Sequence, residues 1–124
     1  MMKPLFTQIP FFVYPVTDMA RARAFYHEIL ELPETANWED KWVEFSVGKD
    51  TLAISVMSEG QQPGAKAGAI ALEADDFDNA VRHLRGRGVR FVAEPHDTGV
   101  CLIARFEDPD GNQIILHRRN AAAD

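Results

Sequence analysis

Cysteine is nearly missing from these 124 residues, where Cys101 stands alone. A single thiol forms no internal disulfide, so the fold must rest on a packed core, and a reducing compartment is expected. Basic residues are also in the minority. Lys and Arg number 13 against 19 Asp and Glu, leaving a net charge of −6, which argues against a general nucleic-acid or anionic-membrane surface. The cluster Arg82, Arg85, Arg87 and Arg90 is the basic exception and reads as a solvated helix end favoured by the macrodipole. No apolar run approaches the roughly 18 residues needed to cross a bilayer. The opening stretch, MMKPLFTQIPFFVYPV, has a lysine followed by apolar residues, as a signal peptide would. Pro4, Gln8, Pro10 and Pro15 interrupt it, and no small-residue cleavage site precedes Asp18. A first strand explains it better, and a soluble cytoplasmic protein is the expectation. Phosphate-binding glycine loops, catalytic-triad signatures and Cys/His zinc spacings are absent as well.

What is present is ordinary for a globular protein, and the length suffices for one domain spanning 1–124 with a real core. Phe11–Tyr14 is a short apolar and aromatic run closed by Pro15, which reads as a buried strand. Thr17 or Asp18 then caps a helix whose Met19, Ala22, Phe25, Tyr26, Ile29 and Leu30 form one apolar stripe, ended by Pro33. Strands are expected over Trp42–Val47 and Thr51–Met57, with Thr35–Trp38 as a further short strand. SEGQQPGAK, from Ser58 to Lys66, reads as a linker. The pattern then restarts. Gly68–Ala74 is a strand, Asp75 or Asp76 caps a helix with Phe77, Ala80, Val81 and Leu84 on one face, and Gly86 and Gly88 end it. Val89–Ala93 is a short strand. Val100–Phe106 and Gln113–His117 are arms of a hairpin joined by Asp108-Pro109-Asp110-Gly111, a type I turn sequence.

Asp18 and Asp76 occupy equivalent places, as do Ala22 and Ala80, and Tyr26 and Leu84. The repeat, about 58 residues apart, predicts an α+β fold of two tandem βαβββ modules, their curved sheets set around a shared cleft. A βαββαβ ferredoxin-like sandwich would need fewer strands after each helix. Module 1 covers about 5–58, the linker about 59–67, module 2 about 68–118, and a polar tail 119–124.

Three stretches in this order resemble the vicinal oxygen chelate superfamily of glyoxalase I, bleomycin-resistance proteins and extradiol dioxygenases. They are Val16-Thr17-Asp18 with the ARAFYHEILEL helix, Gly68-Ala69-Ile70-Ala71-Leu72, and FEDPDGNQIIL, and the likeness runs from about Phe6 to Arg118. The resemblance implies paired βαβββ modules, joined within one chain or between two. It also implies a metal held by His and Glu at strand positions that here are Phe11, Ala69, Ile115 and one residue within TLAISVM. Those side chains offer a divalent cation no nitrogen, carboxylate or thiolate donor. No metal cofactor is therefore expected.

The remaining polar candidates are few. His117 lies two residues past Ile115, on the same side of its strand by period 2, and suits proton transfer or ligand binding. Glu44, inside the aromatic WVEF, is the carboxylate to pair with it. Trp38 and Trp42 flank Glu39-Asp40 and suit a flat or cationic ligand. His96 sits in a loop at the cleft mouth, His27 and His83 ride on helix surfaces, and Cys101 packs at a strand start. The first reading is a metal-free binding protein, a homodimer, that sequesters a small organic molecule against Phe11, Trp38, Trp42, Ala69, Ile115 and His117. A glyoxalase-like lyase, isomerase or dioxygenase is the second, using a relocated metal on His117, Glu44 or His96 or metal-free acid–base chemistry by Glu44 and His117. The third is a structural or interaction dimer whose cleft is filled by side chains.

Overall fold

The computed structural model describes residues 4–5, 8–57, 63–64 and 69–120. Most of the expected linker, together with Phe6, Gly68 and the last four tail residues, lies outside the described residues. The elements run β1 Phe12–Pro15, α1 Met19–Arg23, a π-helical segment Ala24–Ile29, β2 Glu34–Trp38, β3 Trp42–Val47 and β4 Asp50–Ser55. They continue with β5 Ile70–Glu73, α2 Phe77–Gly86, β6 Phe91–Asp97, β7 Cys101–Glu107 and β8 Gln113–Arg119. Two four-stranded sheets result, in the orders β1-β4-β3-β2 and β5-β8-β7-β6. In each, the strand before the helix lies parallel to the last strand of its module, and the other pairings are antiparallel. This is the tandem βαβββ plan that the repeat predicts.

The helix starts follow from their caps. Asp18 accepts from Arg21 N at 3.1 Å and Asp76 from Asn79 N at 3.0 Å, each satisfying a first-turn amide with no intrahelical partner. The first helix departs from the simple stripe. After Arg23 it widens into a π-helix, with Leu30 N donating to Phe25 O at 3.0 Å. The wide turn sets Phe25 and Tyr26 side by side in the core, their rings edge to face at 5.1 Å.

One face of each sheet, with both helices, builds a common core of residues such as Tyr14, Phe45, Ile54, Phe106, Ile114 and Leu116. The outer faces carry the alternate residues, because neighbouring side chains along a strand point opposite ways.

The modules are joined by polar contacts made through the β7–β8 turn. Asp108 is 4% exposed, and its carboxylate accepts from Tyr26 Oη at 2.9 Å, Asn112 Nδ2 at 2.8 Å, and the amides of Asp110 and Asn112 at 2.9 and 2.8 Å. Burial pushes its carboxyl above the ordinary range, against these hydrogen bonds, which favour the ionised form. Asp110 Oδ1 accepts from Thr17 N, Thr17 Oγ1 and Arg21 Nη2 at 3.2, 2.5 and 3.1 Å. Tyr14 Oη donates to Gln113 O at 2.5 Å and accepts from Ile70 N at 2.9 Å, and burial raises its phenol to about 12. Gly64 has φ +78°, and a Cβ there would stand 2.6 Å from Asp110 O, so glycine is required beside this turn.

Some expectations change, and the strand expected to be buried from Phe11 begins instead at Phe12, with Phe11 and Phe12 43 and 38% exposed. His96 is not in a loop: the strand expected to end at Ala93 runs on to Asp97, past Pro95, through register shifts against β7. Proline is tolerated because β6 is an edge strand and needs no donor on its open side. His83 is not a plain surface residue, since its half-buried Nε2 lies 2.8 Å from Ile29 O and links the two helices. The Arg cluster is solvated but partnered, with Arg85 paired to Glu94 and stacked 5.0 Å over Phe91, and Arg90 3.6 Å from Glu107. His27 is exposed and Cys101 is buried. Among the described residues, no helix is long and apolar enough to cross a membrane.

Candidate functional site

On the outer face of the first sheet, register aligns two rows of side chains. Val13, Ala53, Glu44 and Ala36 form one row, and Pro15, Ser55, Trp42 and Trp38 the next. The Trp42 indole Nε1 donates to Glu44 Oε2 at 2.9 Å, and the Phe11 ring meets Trp42 edge to face at 5.5 Å. Edge-to-face contact suits the quadrupoles of two aromatic rings. Trp38, across the strand pair from Trp42, stays 54% exposed. Phe11, Trp42 and Glu44 therefore form one aromatic patch with a partly exposed carboxylate inside it, and Trp38 stands beyond Trp42 in the same row.

The second sheet carries different chemistry on its outer face. Ile115 lies between Ala71 and Arg105, and His117 between Glu73 and Ile103, with His96 at the far edge. His117 Nδ1 lies 2.5 Å from Glu73 Oε1, and Glu73 Oε2 accepts from Arg119 N at 2.8 Å. The hydrogen bond from His117 is the main reason the Glu73 carboxyl lies below its ordinary range. A carboxylate on Nδ1 orients the imidazole and leaves Nε2 as the working nitrogen. Glu44 and His117 lie on different sheets, the first bonded to Trp42 and the second to Glu73.

Between β1 and β5, the outer strands of the two sheets, runs a groove of about 340 Å³. Ile9, Phe11, Phe12, Thr51, Leu52 and Ala71 are among its lining residues, while Ala69 and Ile115 are not. Ala69, just ahead of β5, is half-buried.

The positions that imply a metal hold phenyl, methyl and sec-butyl groups at Phe11, Ala69 and Ile115. On β4 the outward residues are Thr51, Ala53 and Ser55. Among the described residues, no group of three or more His, Cys, Asp or Glu is arranged to hold a metal ion. This donor set does not fit a divalent cation.

Glu73, which the structure sets against His117, is a residue that sequence reasoning missed. Alternation in GAIALEA already places it on the same side as Ala69 and Ala71. The parallel pairing of β5 with β8, which sets it beside His117, is a tertiary fact.

The profile of the Glyoxalase/Bleomycin resistance protein/Dioxygenase superfamily matches residues 8–116. Among solved structures the chain is similar to TnmS3, an antibiotic binding protein from Streptomyces sp. CB03234. The identity is 26%, covering 95% of this chain and 100% of that one, with a TM-score of 0.84. A member of the glyoxalase/bleomycin resistance protein/dioxygenase superfamily from Sphaerobacter thermophilus DSM 20745 is similar at 24% identity, 94% and 100% coverage and a TM-score of 0.77. Lactoylglutathione lyase from Agrobacterium tumefaciens is similar at 18% identity, 93% and 96% coverage and a TM-score of 0.76. The last two identities speak to the fold alone. No curated protein matches the chain.

Proposed function

Because the chain belongs to the Glyoxalase/Bleomycin resistance protein/Dioxygenase superfamily, we propose that it binds a small organic molecule in a cleft between modules without the family's metal. The observation that carries this reading is the aromatic patch in which Phe11 and Trp42 meet at 5.5 Å while Glu44 accepts from the indole. Ligand sites are mostly apolar, with a few fixed polar groups, and this patch has that composition. The side chains at the metal positions add support, since Phe11, Ala69 and Ile115 suit apolar contacts and not a metal ion. Trp38 and His117, on the outer faces of the two sheets and not among the groove's lining residues, are the further contacts in this reading. The antibiotic-binding relative TnmS3, at 26% identity, makes sequestration the nearest analogue.

The reading includes a cytoplasmic homodimer with neither nucleic acid nor membrane as partner. Val56 and Met57, outside the groove, are 41 and 52% exposed, apolar side chains of the kind a second copy would cover. The acidic balance and the single cysteine fit the remaining terms.

A thermal-shift and calorimetric screen of hydrophobic and cationic organic compounds tests the binding. At least one class should stabilise the protein, with light scattering giving a dimer and elemental analysis giving no stoichiometric metal. A blank screen, or stoichiometric Ni, Zn, Fe or Mn in the purified protein, overturns the reading.

The His117–Glu73 pair favours a second reading, metal-free acid–base catalysis. His117 moves the proton, Glu73 orients its ring, and Glu44 is the acid assigned to the other module. Turnover of any glyoxalase-type or carbon-acid substrate that disappears in His117→Gln supports it, and turnover that survives removes it.

A further inference from the structure

Deepening the small-molecule reading of the same site, we infer that the outer face of β2 and β3 recognises a flat aromatic cation. Trp42 and Trp38 supply its stacking surface and Glu44 its counter-charge.

The turn that presents the two indoles is fixed. Glu39 and Asp40 both adopt left-handed backbone, at φ +54° and +55°, and Lys41 N donates to Trp38 O at 2.9 Å. Asn37 Oδ1 accepts from Asp40 N at 2.9 Å, and Asn37 Nδ2 donates to Asp40 Oδ1 at 2.8 Å. Arg23, itself paired with Glu34, reaches Asp40 at 3.4 Å. The two tryptophans are thus held as a cross-strand pair by backbone register, and Trp38 is more than half exposed. Indole faces are the strongest aromatic receptors for cations and stack on any flat π-system.

Glu44 sets the charge. Its cross-strand neighbours are Ala36 and Ala53, whose methyl groups leave the carboxylate standing over a shallow floor. Oε2 is tied to the Trp42 indole, which fixes the carboxylate beside the stacking surface. Among the described strand residues of this face, Glu44 is the only one with a charge. No Lys or Arg pairs with it among the described residues. Arg105, on the other sheet, bonds to Gln113 Oε1 at 3.3 Å. A neutral aromatic ligand covering Glu44 would desolvate an unpaired carboxylate, which is unfavourable. A cationic one turns that desolvation into an ion pair.

The test compares two tricyclic probes by titration calorimetry on the full chain. Proflavine is cationic at neutral pH, and acridone is its neutral counterpart. Proflavine should bind about tenfold tighter than acridone. Glu44→Gln, which keeps an acceptor for the indole, should abolish that preference by weakening proflavine and tightening acridone, since no charge is then desolvated. Trp42→Ala should weaken both probes, with circular dichroism verifying the fold of each variant. Equal affinity for the two probes, or a preference that survives Glu44→Gln, overturns the cation assignment while leaving small-molecule binding intact. If neither probe binds, the cation assignment fails. The small-molecule reading falls with it only if the wider screen is also blank.

Discussion

Laid over one another by their strand registers, the two outer faces match position by position. Val13 corresponds to Ala71, Ala53 to Ile115, Ala36 to Ala93, and Glu44 to Arg105. In the next row Pro15 matches Glu73, Ser55 matches His117, Trp42 matches Ile103, and Trp38 matches His96. The backbone is duplicated and the chemistry is not. A carboxylate faces out where its counterpart is a guanidinium, and indoles stand where the other sheet has isoleucine and histidine. Inward positions stay apolar in both modules because they share one packed core, whereas most outward positions are less tightly packed, the buried Ala53 and Ser55 excepted, and diverge more freely. The proposed site lies on the outer faces, where the two modules differ most.

The sharpest way to break the comparison is to remove what both faces depend on. Asp108→Ala strands the donors of Tyr26, Asn112 and two turn amides, so a loss on the order of 3 kcal/mol is expected. Urea denaturation should show it as a single lowered midpoint, and separate transitions for the two modules would contradict a shared frame.

A smaller effect separates the faces. Trp42→Ala should lower proflavine affinity about tenfold, while Ile103→Ala at the matched position changes it by less than about twofold. Equal losses would mean that the ligand does not distinguish the sheets.

The caps test how closely the modules still correspond. Asp18→Ala and Asp76→Ala should each cost about 1 kcal/mol, because both bond an amide three residues on. Thermal denaturation measures both, and a large difference would show that one helix start has become dispensable.

The smallest effect concerns acid. Glu73 is held below its ordinary range by His117, so the folded state favours its ionised form. The resulting stability is complete above the unfolded glutamate value, about 4.3, and is lost as pH falls through the lower folded value. His117→Gln should move the Glu73 titration upward in a carboxyl NMR experiment. It should also reduce the loss of stability as pH falls below about 4.3. An unmoved Glu73 titration would show that the pair does not persist in solution.

Much of this arrangement was legible along the chain. Helical spacing marks Met19, Ala22 and Phe25, a cap aspartate marks each helix, and Asp-Pro-Asp-Gly marks the last turn. Alternation puts Ile115 and His117 on one side of a strand. All of these are local regularities. The π-helical turn was not legible, because Phe25, Tyr26, Ile29 and Leu30 also fit an ordinary helix, and only core packing selects the wider one. Nor was the extension of β6 through Pro95 to His96, since proline argues against a strand unless that strand is known to lie at an edge.

By itself, then, the sequence determined the two-module plan, the core faces and the lack of donors at Phe11, Ala69 and Ile115, because each depends only on residue type and short-range spacing. Tertiary structure decided the pairings. It placed His117 beside Glu73 rather than Glu44, bonded Glu44 to Trp42, and set Tyr26 on Asp108, 82 residues away. Those partners follow from which strands lie next to each other and in what register. That order is chosen by the whole core at once.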